Sequence, residues 1–326
     1  CLLSVISFCG FVSSVISVIT PLADITCRIF DFGLNYLLNI LVWISDFFAN
    51  LPHCVLQTTH PNLLQLLFYY SVLLTVTFLV KYEKYKESIL VTIIGVVIIL
   101  GTTIRPVSHK LEIIAFDVQN ADSFLIKTPQ NKYFFIDTGK APYKSGNSQA
   151  KIIMLKYLKD RGIKDLEGVI VTHFDNDHSG GTVDFIENTN IKTLYLNSTE
   201  KETQTAKDIF NAVKKLKQNV RIVKNEDIIY FEPNLTLKIY KANIGGKNRS
   251  NECSTVTLLS YGKFEMLFMG DAGVTSFNQL QKDIPHNVEV LKVGHHGGPR
   301  VVDSQMLEHL GNRVSLISTG INYFGH

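Results

Sequence analysis

The fold is decided by the segment Thr172-His173-Phe174-Asp175-Asn176-Asp177-His178-Ser179-Gly180-Gly181, which follows an apolar run over 166–172. A buried strand over that run would deliver the following side chains to one edge of a sheet, and Ser-Gly-Gly permits a tight turn after them. Imidazole nitrogen and carboxylate oxygen suit zinc, manganese or iron better than magnesium alone. The segment therefore predicts a metal centre. Within six residues it offers four possible ligands: His173, Asp175, Asp177 and His178.

Other predicted strands end in the same kind of loop. The apolar run 264–269 ends at Gly270-Asp271-Ala272, and 290–293 ends at Gly294-His295-His296-Gly297-Gly298. The strand predicted over 132–136 ends in Asp137-Thr138-Gly139. Each loop alone is typical of ordinary turn chemistry. Together with 172–181, and in this order along the chain, they indicate one site built from several strand ends.

The second part of the chain has the pattern of a soluble α/β protein. Its two strand-rich halves with helices outside predict a layered α/β/β/α sandwich. Strands are predicted over 111–116, 123–127, 132–136, 166–172, 193–197, 227–230, 235–240, 254–261, 263–268, 289–293 and 314–318, and helices over 149–161, 182–188 and 201–217.

The first 106 residues are mostly Leu, Ile, Val, Phe and Ser with few charges. A helix that crosses a bilayer needs roughly 20 apolar residues, and the runs 2–20, 63–80 and 88–104 are the candidates. Three Lys in the loop 81–87 predict that this loop is cytoplasmic, so that residues after 106 would lie outside the cytoplasm. The segment 29–50 has polar residues among its apolar ones, which is typical of an amphipathic helix at an interface. We therefore expect a membrane domain over 1–106 and a soluble domain over 107–326, in a fragment of a longer protein.

The order of the motifs resembles that of the metallo-β-lactamase superfamily over residues 110–326. The motifs are Asp-Thr-Gly at 137–139, His-x-Asp-x-Asp-His at 173–178, Gly-Asp-Ala at 270–272 and His-His-Gly at 295–297. The stretch 116–123 also resembles the first-strand signature of the ComEC competence proteins, and 320–326 resembles their C-terminal motif. ComEC proteins carry multispanning membrane segments directly before this domain, as expected here. The resemblance implies an αββα metallo-β-lactamase sandwich preceded by membrane-embedded α-helices, in the bacterial cell membrane.

The ComEC resemblance also implies a function. In that family the membrane part forms a channel for single-stranded DNA, and the metallohydrolase part is thought to degrade the strand that does not enter. We therefore expect a metal-dependent hydrolase, a deoxyribonuclease of natural transformation, in an extracytoplasmic domain. Its partners would be DNA, the membrane and other DNA-uptake proteins. Its cofactor would be one or two divalent ions, with Mn or Zn favoured.

The superfamily pattern implies roles for the main candidate ligands. His173 would bind the first metal, with Asp175 standing where many relatives have a second His. Asp177 and His178 would bind the second metal, and Asp271 would bridge the two. A carboxylate in such a cluster can orient a nucleophilic water or accept its proton, so Asp175 and Asp177 are the candidate catalytic residues.

The same pattern implies supporting residues around this centre. His295 would complete the second metal site, and His296 is the less favoured candidate for that position. Asp137 would lie just outside the metals and support the loop. Asp122 and Ser123 would lie near the same edge.

Two departures from the pattern change the expected chemistry. No His occurs between 178 and 286, so the third-motif His of the superfamily is absent, and Asn251 and Ser254 lie where it would be expected. ComEC-like proteins also lack that His, and an oxygen-rich site suits manganese more than zinc. The second departure is Gln119-Asn120-Ala121, which replaces Gly-Gln-Gly and could alter activity.

Two other functions stay open at this point. The domain could hydrolyse another substrate, such as a lactone, thioester or phosphonate, because a fold does not fix a substrate. It could also be an inactive domain that binds DNA or gates the channel, which the altered 119–121 segment would favour. Lys247, Arg249 and Arg300 flank the predicted site, either as cations for a phosphodiester or as solvated surface charges.

Overall fold

The computed structural model describes residues 11, 23–49, 61–103, 109–142, 146–200, 202–245 and 249–320. The chain divides into two compact units, Cys1–Thr58 and Thr59–His326. In the first unit, α1 (Ala23–Ala49) covers most of the segment for which an amphipathic helix is predicted. The predicted span 2–20 and the expected domain boundary at 106/107 fall outside the described residues.

The second unit begins with two apolar helices, α2 (Leu63–Lys81) and α3 (Tyr85–Thr103). The side chain of Asn62 accepts a hydrogen bond from the Gln65 backbone N–H at 2.9 Å, and the Gln65 side-chain oxygen accepts one from the Asn62 backbone N–H at 2.9 Å. These two bonds form a capping box at the start of α2. The two helices meet closely because Gly95 of α3 has no side chain where Val72 of α2 lies. Within the described residues, two helices are long and apolar enough to cross a membrane by length and composition: Leu63–Lys81 and Tyr85–Thr102.

The first sheet of the second unit has the strand order β1-β2-β3-β5-β7-β8. Antiparallel pairing joins β1, β2 and β3, and parallel pairing continues through β5, β7 and β8. A short parallel pair, β4 with β6, lies outside this sheet. The strands are β1 (Glu112–Ala115), β2 (Phe124–Lys127), β3 (Tyr133–Ile136), β4 (Asp165–Leu166), β5 (Gly168–Val171), β6 (Asn190–Ile191), β7 (Leu194–Leu196) and β8 (Val220–Ile222).

The second sheet has the order β14-β13-β12-β11-β10-β9. The strands β9, β10, β11 and β12 pair with their neighbours in antiparallel fashion. Parallel pairing then joins β12 to β13 and β13 to β14. In both sheets the parallel strands deliver their carboxyl ends to one edge, where the motif loops follow. The strands are β9 (Ile228–Glu232), β10 (Leu235–Tyr240), β11 (Val256–Tyr261), β12 (Phe264–Phe268), β13 (Val290–Lys292) and β14 (Val314–Leu316).

The two sheets pack face to face, with helices on their outer faces. The central core joins side chains of both sheets, and the Phe124 and Phe268 rings meet edge to face at 5.2 Å between centroids. Leu158, Phe185 and Ile209 pack helices against the first sheet. The helices of the second unit's sandwich are α4 (Leu155–Asp160, preceded by a π-helical turn Ala150–Met154), α5 (Asn176–Ser179), α6 (Thr182–Asn188), α7 (Gln204–Leu216), α8 (Arg249–Glu252), α9 (Val274–Leu280) and α10 (Ser304–Leu310).

The predicted α/β sandwich is confirmed in its layers and in most of its elements. Some elements of the structure were not predicted: the short β6, α5 and α8, and also β8, α9 and α10. The strand β8 has only three residues, and α9 and α10 have seven each, too few for the periodicity of their apolar residues to stand out. Tertiary packing stabilises α9 and α10, because Phe277 and Met306 are buried against the second sheet.

Gly181 provides a test of the close packing below the motif loop. A Cβ at Gly181 would lie 2.3 Å from the Thr138 carbonyl oxygen and 2.5 Å from the Ala150 Cβ. We expect Gly181→Ala to lower the free energy of unfolding by about 1–3 kcal/mol, as overpacking of a tight interior does. Urea denaturation of the full chain in detergent measures it. The matched control is Gly245→Ala, which meets no atom within 4 Å and should change the free energy by less than about 0.5 kcal/mol. Equal changes in the free energy of unfolding for Gly181→Ala and Gly245→Ala would contradict the close packing around Gly181.

Candidate metal centre

The carboxylate of Asp137 organises the site. Its Oδ1 accepts a hydrogen bond from the Thr172 backbone N–H at 2.8 Å, and its Oδ2 accepts one from the Thr172 hydroxyl at 2.8 Å. The same Oδ2 lies 2.7 Å from Nδ1 of His178. The bond to Nδ1 leaves Nε2 of His178 as the atom that faces the site. Asp137 takes this position with a left-handed backbone, φ +59°, which is uncommon for a residue other than glycine.

One group of possible ligands is fully buried. Nε2 of His178 lies 2.9 Å from Oδ1 of Asp271, and Nε2 of His173 lies 3.7 Å from Oδ2 of Asp271. Among the described residues, three facing atoms have no partner that completes a hydrogen bond: Nε2 of His173, Nε2 of His178 and Oδ1 of Asp271. Buried polar atoms are nearly always satisfied, and a cation would satisfy all three at once. The donor set of two imidazoles and a carboxylate therefore fits a divalent metal.

A second group shares His178 and extends toward the surface. Nε2 of His296 lies 3.3 Å from Oδ2 of Asp177, and the ligand atoms of Asp177, His178 and His296 lie within 4.8 Å of one another. The other ring nitrogen of His296 is 2.9 Å from the Ser318 carbonyl oxygen, which fixes the ring. The two groups thus share His178, whose Nε2 atom can bind one ion at a time, so a second ion would be held by Asp177 and His296.

The structure brings His296 into the site and places His295 at its side. The Nε2 atom of His295 lies 3.5 Å from the side-chain nitrogen of Asn251. Both histidines have left-handed backbones, with φ +42° and +52°, a strain that persists where surrounding structure fixes it and that clusters at functional sites. Gly294 makes this turn possible, because a Cβ there would lie 2.0 Å from the Ala272 carbonyl oxygen. The two-His loop is therefore pressed against the loop that carries Asp271.

Asp175 lies at the mouth of the site. Its Oδ2 is 3.5 Å from Nε2 of His173, and its Oδ1 accepts a hydrogen bond from the Ser250 hydroxyl at 3.2 Å. The side chain is 36% exposed, whereas Asp271 is 3% exposed, so Asp175 is the carboxylate that a substrate would meet first.

The segment that replaces the third-motif His is α8, and Glu252 anchors it. The Glu252 carboxylate accepts hydrogen bonds from the backbone of Ser276 at 3.0 Å and of Gly273 at 3.3 Å, at the start of α9. This ties the residues beside the site, Ser250 and Asn251, to the loop after Asp271. The predicted residue Ser254 is fully buried, and its hydroxyl makes no hydrogen bond among the described residues.

The altered segment 119–121 contacts the end of the described chain. The side-chain oxygen of Asn120 accepts hydrogen bonds from the backbone N–H of Gly320 at 2.7 Å and the hydroxyl of Thr319 at 3.1 Å. A Cβ at Gly320 would lie 2.5 Å from the Cβ of Gln119, so the two segments pack closely. The rest of the C-terminal motif, 321–326, falls outside the described residues.

Lys292 is a site residue that the sequence reasoning missed. It is 1% exposed, and its amine forms an ion pair with Asp122 and donates a hydrogen bond to the Gly270 carbonyl at 3.1 Å. Asp122 also lies 3.6 Å from Nδ1 of His178. The signal in the sequence was a lysine inside an apolar strand directly before Gly294-His295-His296. A lysine is rarely fully buried unless it is paired.

The charges of the site stabilise one another. Burial alone would lower the pKa of the His178 imidazole, but the carboxylates of Asp271, Asp137 and Asp122 outweigh it and raise that pKa well above its usual value. Burial would raise the pKa of Asp271, yet the histidines His178 and His173 hold it well below its usual range. A proton on His178 and a divalent metal therefore compete for the same place.

The comparisons with known proteins agree with this geometry. Residues 117–308, more than half of the chain, match the family model described as the metallo-beta-lactamase superfamily. The chain belongs to the metallo-beta-lactamase superfamily. Membership implies a metal-dependent hydrolase in general terms and divalent metal binding, in agreement with the unsatisfied ligand atoms of the site.

The resemblance to ComEC proteins is confirmed by two curated relatives. The chain is 22% identical over 299 residues to ComE operon protein 3 of Bacillus subtilis (strain 168), covering 87% of this chain and 38% of that protein. It is 29% identical over 189 residues to Recombination protein 2 of Haemophilus influenzae (strain ATCC 51907 / DSM 11121 / KW20 / Rd), covering 58% of this chain and 22% of that protein. The chain thus spans less than half the length of either relative.

Solved structures of metallo-beta-lactamase fold are also similar. The metallo-beta-lactamase fold protein YhfI from Bacillus subtilis is 14% identical to this chain, with a TM-score of 0.35 over 53% of this chain and 62% of that chain. CmlA, a diiron beta-hydroxylase from Streptomyces venezuelae, is 12% identical, with a TM-score of 0.43 over 66% of this chain and 46% of that chain. Superfamily membership follows from the family model and not from these distant likenesses.

Asp137→Asn tests whether this carboxylate fixes a metal ligand. The amide keeps the size but has one acceptor oxygen and one NH2 donor, so it cannot accept from the Thr172 backbone N–H, the Thr172 hydroxyl and His178 all together as the carboxylate does. We expect the affinity for Mn²⁺ or Zn²⁺ to fall by about 10–100-fold, the usual effect of removing a partner that orients a ligand. Isothermal titration calorimetry measures it. Asp165→Asn is the control, because this exposed carboxylate accepts only a surface hydrogen bond from Asn190. Unchanged metal affinity in Asp137→Asn would contradict the assigned role.

Lys292→Met tests the buried ion pair. The substitution takes the nearest cation away from the buried charge of Asp122 and leaves only the more distant His178 and His296 beside it. This should lower the free energy of unfolding by up to about 3–5 kcal/mol. Adding Asp122→Asn removes that charge and should recover a large part of the loss, as a double-mutant cycle in urea denaturation would reveal. The control Lys192→Met removes an exposed lysine paired with Glu167 and should leave stability nearly unchanged. Failure of the double variant to recover any stability would count against the pairing.

Proposed function

We propose that this chain is part of a membrane protein of bacterial DNA uptake, and that its sandwich domain hydrolyses DNA phosphodiesters with one or two divalent ions. The observation that carries the proposal is the convergence of unsatisfied ligand atoms from His173, His178 and Asp271 at one sheet edge. The similarity to ComE operon protein 3 and Recombination protein 2 supports DNA as the substrate class. The strand degraded would be the one that does not enter the cell.

The ligand set has a direct chemical use. A divalent metal, when bound, supplies Lewis-acid activation of water and of a phosphoryl oxygen. His173, His178 and Asp271 would hold it in the buried part of the site, and Asp177 with His296 would hold a second ion. Manganese is favoured over zinc, because α8 presents Ser250 and Asn251 where other members of the superfamily have a third His.

The carboxylates at the mouth would position the nucleophile. Burial would raise the pKa of Asp177, but the hydrogen bond with His296 and the charge of His178 lower it to about 2. Asp177 is therefore an anion at neutral pH, able to orient an attacking water through Oδ2. The pKa of Asp175 is also lowered, first by its contact with His173. Asp175 would accept the proton of the water or hold the water in line with the phosphorus.

We also propose that α2 and α3 are membrane spans. Both are apolar along their length, and most of their large apolar side chains are exposed, as expected for helices surrounded by lipid. The Lys-rich loop 81–87 between them favours the cytoplasmic side, so the sandwich domain would be extracytoplasmic. α1 would lie at the interface, and the domain boundary would fall at 106/107.

The other candidate functions differ from this proposal in what they predict for DNA. A hydrolase of a lactone, thioester or phosphonate would bind metal but leave DNA intact. An inactive gating domain would bind DNA without cleaving it. The site keeps Asp and His residues of every motif except the third-motif His, which favours an active enzyme over the gating role.

The test is cleavage of DNA by the full chain in detergent. Fluorescent duplex and single-stranded DNA would be incubated with Mn²⁺, Zn²⁺, Mg²⁺ or chelator. We expect metal-dependent cleavage, fastest with Mn²⁺, and a loss of at least about 100-fold in Asp177→Ala, the low end of what general base catalysis contributes.

The matched control is Asp165→Ala, which removes an exposed carboxylate of β4 and should cleave like the unmodified chain. Stoichiometric metal binding without cleavage of either DNA form would refute the nuclease function. Cleavage that persists in Asp177→Ala would refute the role of this residue.

A further inference from the structure

A cavity of about 410 Å³ opens beside the metal centre. His173 and Ser250, which face the metal centre, line it together with Lys241 and Asn197. Ligand pockets in proteins span roughly 300–1,000 Å³. The cavity is therefore large enough for part of a substrate whose reacting group lies at His173.

Lys241 is a half-buried cation in this cavity. Its amine donates hydrogen bonds to the carbonyl oxygens of Asn197 at 2.5 Å and Val223 at 3.4 Å, and among the described residues no carboxylate lies within ion-pair distance of it. Burial lowers the pKa of this amine. The carboxylates of Glu200 and Asp227 act on this amine only as weaker, longer-range charges. An anion that enters the cavity would therefore stabilise this half-buried charge.

The surroundings hold Lys241 in place. Its backbone N–H donates to the side chain of Asn225 at 2.9 Å, and the side chain of Asn197 donates to the Cys253 carbonyl at 2.9 Å. Lys241 follows β10 directly, and its two carbonyl partners follow β7 and β8, so the ends of three strands form this part of the cavity. The lysine is thus a fixed group and not a flexible surface side chain.

The other charged residues of the cavity lie at its rim. Glu200, Glu202 and Lys224 are exposed to solvent, where water and salt weaken their fields. Lys241 is the charge that lies inside. The cavity therefore combines a positive group, Lys241, with residues of the metal centre.

We propose that this cavity binds the sugar-phosphate backbone of a nucleic-acid strand, with Lys241 contacting a phosphate next to the one that is cleaved. The identity of the anion as a DNA phosphate rests on the proposed function. The contact is to the backbone and not to a base, so it carries no sequence preference. It would hold the strand so that the neighbouring phosphodiester lies at His173 and Asp175.

The test measures binding in chelator, where no cleavage occurs. The full chain in detergent would be titrated with a short fluorescent single-stranded oligodeoxynucleotide over a range of salt concentrations. We expect Lys241→Gln to weaken binding about tenfold and to reduce the salt slope by about 0.7, the contribution of one phosphate contact in a single strand. Lys238→Gln is the matched control, since it removes the same charge from β10 at a residue that does not line the cavity, and it should bind within about twofold of the unmodified chain.

Two further measurements separate the contact from a folding defect. An oligomer with a neutral methylphosphonate backbone should bind the unmodified chain and Lys241→Gln equally. In the unmodified chain, the oligodeoxynucleotide should protect Lys241, and not Lys238, from acetylation detected by mass spectrometry. Protection requires no variant, so it remains decisive if Lys241→Gln does not fold.

The outcomes separate this inference from the nuclease function. Equal affinity and salt slope in Lys241→Gln, with no protection of Lys241, would overturn the inference even if the chain cleaves DNA. If the chain binds the oligodeoxynucleotide through Lys241 but cleaves no DNA, the nuclease function is refuted. The proposal that this cavity binds a nucleic-acid strand would then still hold. Protection of Lys241 by inorganic phosphate but not by the oligodeoxynucleotide would overturn the assignment to nucleic acid.

Discussion

The metal centre depends on one carboxylate that accepts three hydrogen bonds. Asp137 joins the end of β3 to the end of β5 through Thr172 and orients His178 at the same time. The parallel pairing of β3 with β5 brings these groups to the same edge. Because His178 belongs to both possible metal groups, a shift of Asp137 would disturb every ligand around it.

The second sheet closes the site from the other side. Asp271 and His296 come from the loops after β12 and β13, and Lys292 pairs with Asp122 of the first sheet. Glu252 fixes α8 against the start of α9, which holds Ser250 beside Asp175. The phenylalanine-rich core between the sheets sets the distance over which these side chains meet.

The sequence allowed the sandwich and the strand-end loops to be predicted, because apolar runs that end in Gly, Asp and His are local patterns. The choice between His295 and His296 depends on the left-handed turn after Gly294, which local pattern does not reveal. Lys292 and Lys241 acquire their surroundings only when distant strands meet, so residue type alone could not distinguish them from surface lysines. The set of metal-binding residues stays a prediction, and the metal titration of Asp137→Asn tests it.

The ion pair between Lys292 and Asp122 joins residues that are 170 positions apart in the chain. During synthesis the His-x-Asp-x-Asp-His loop is made long before Asp271 and His296 exist. A nascent or truncated chain therefore carries only half of the centre and holds a metal poorly. The candidate site is complete only after the last strands have been added, so the order of synthesis itself delays its assembly.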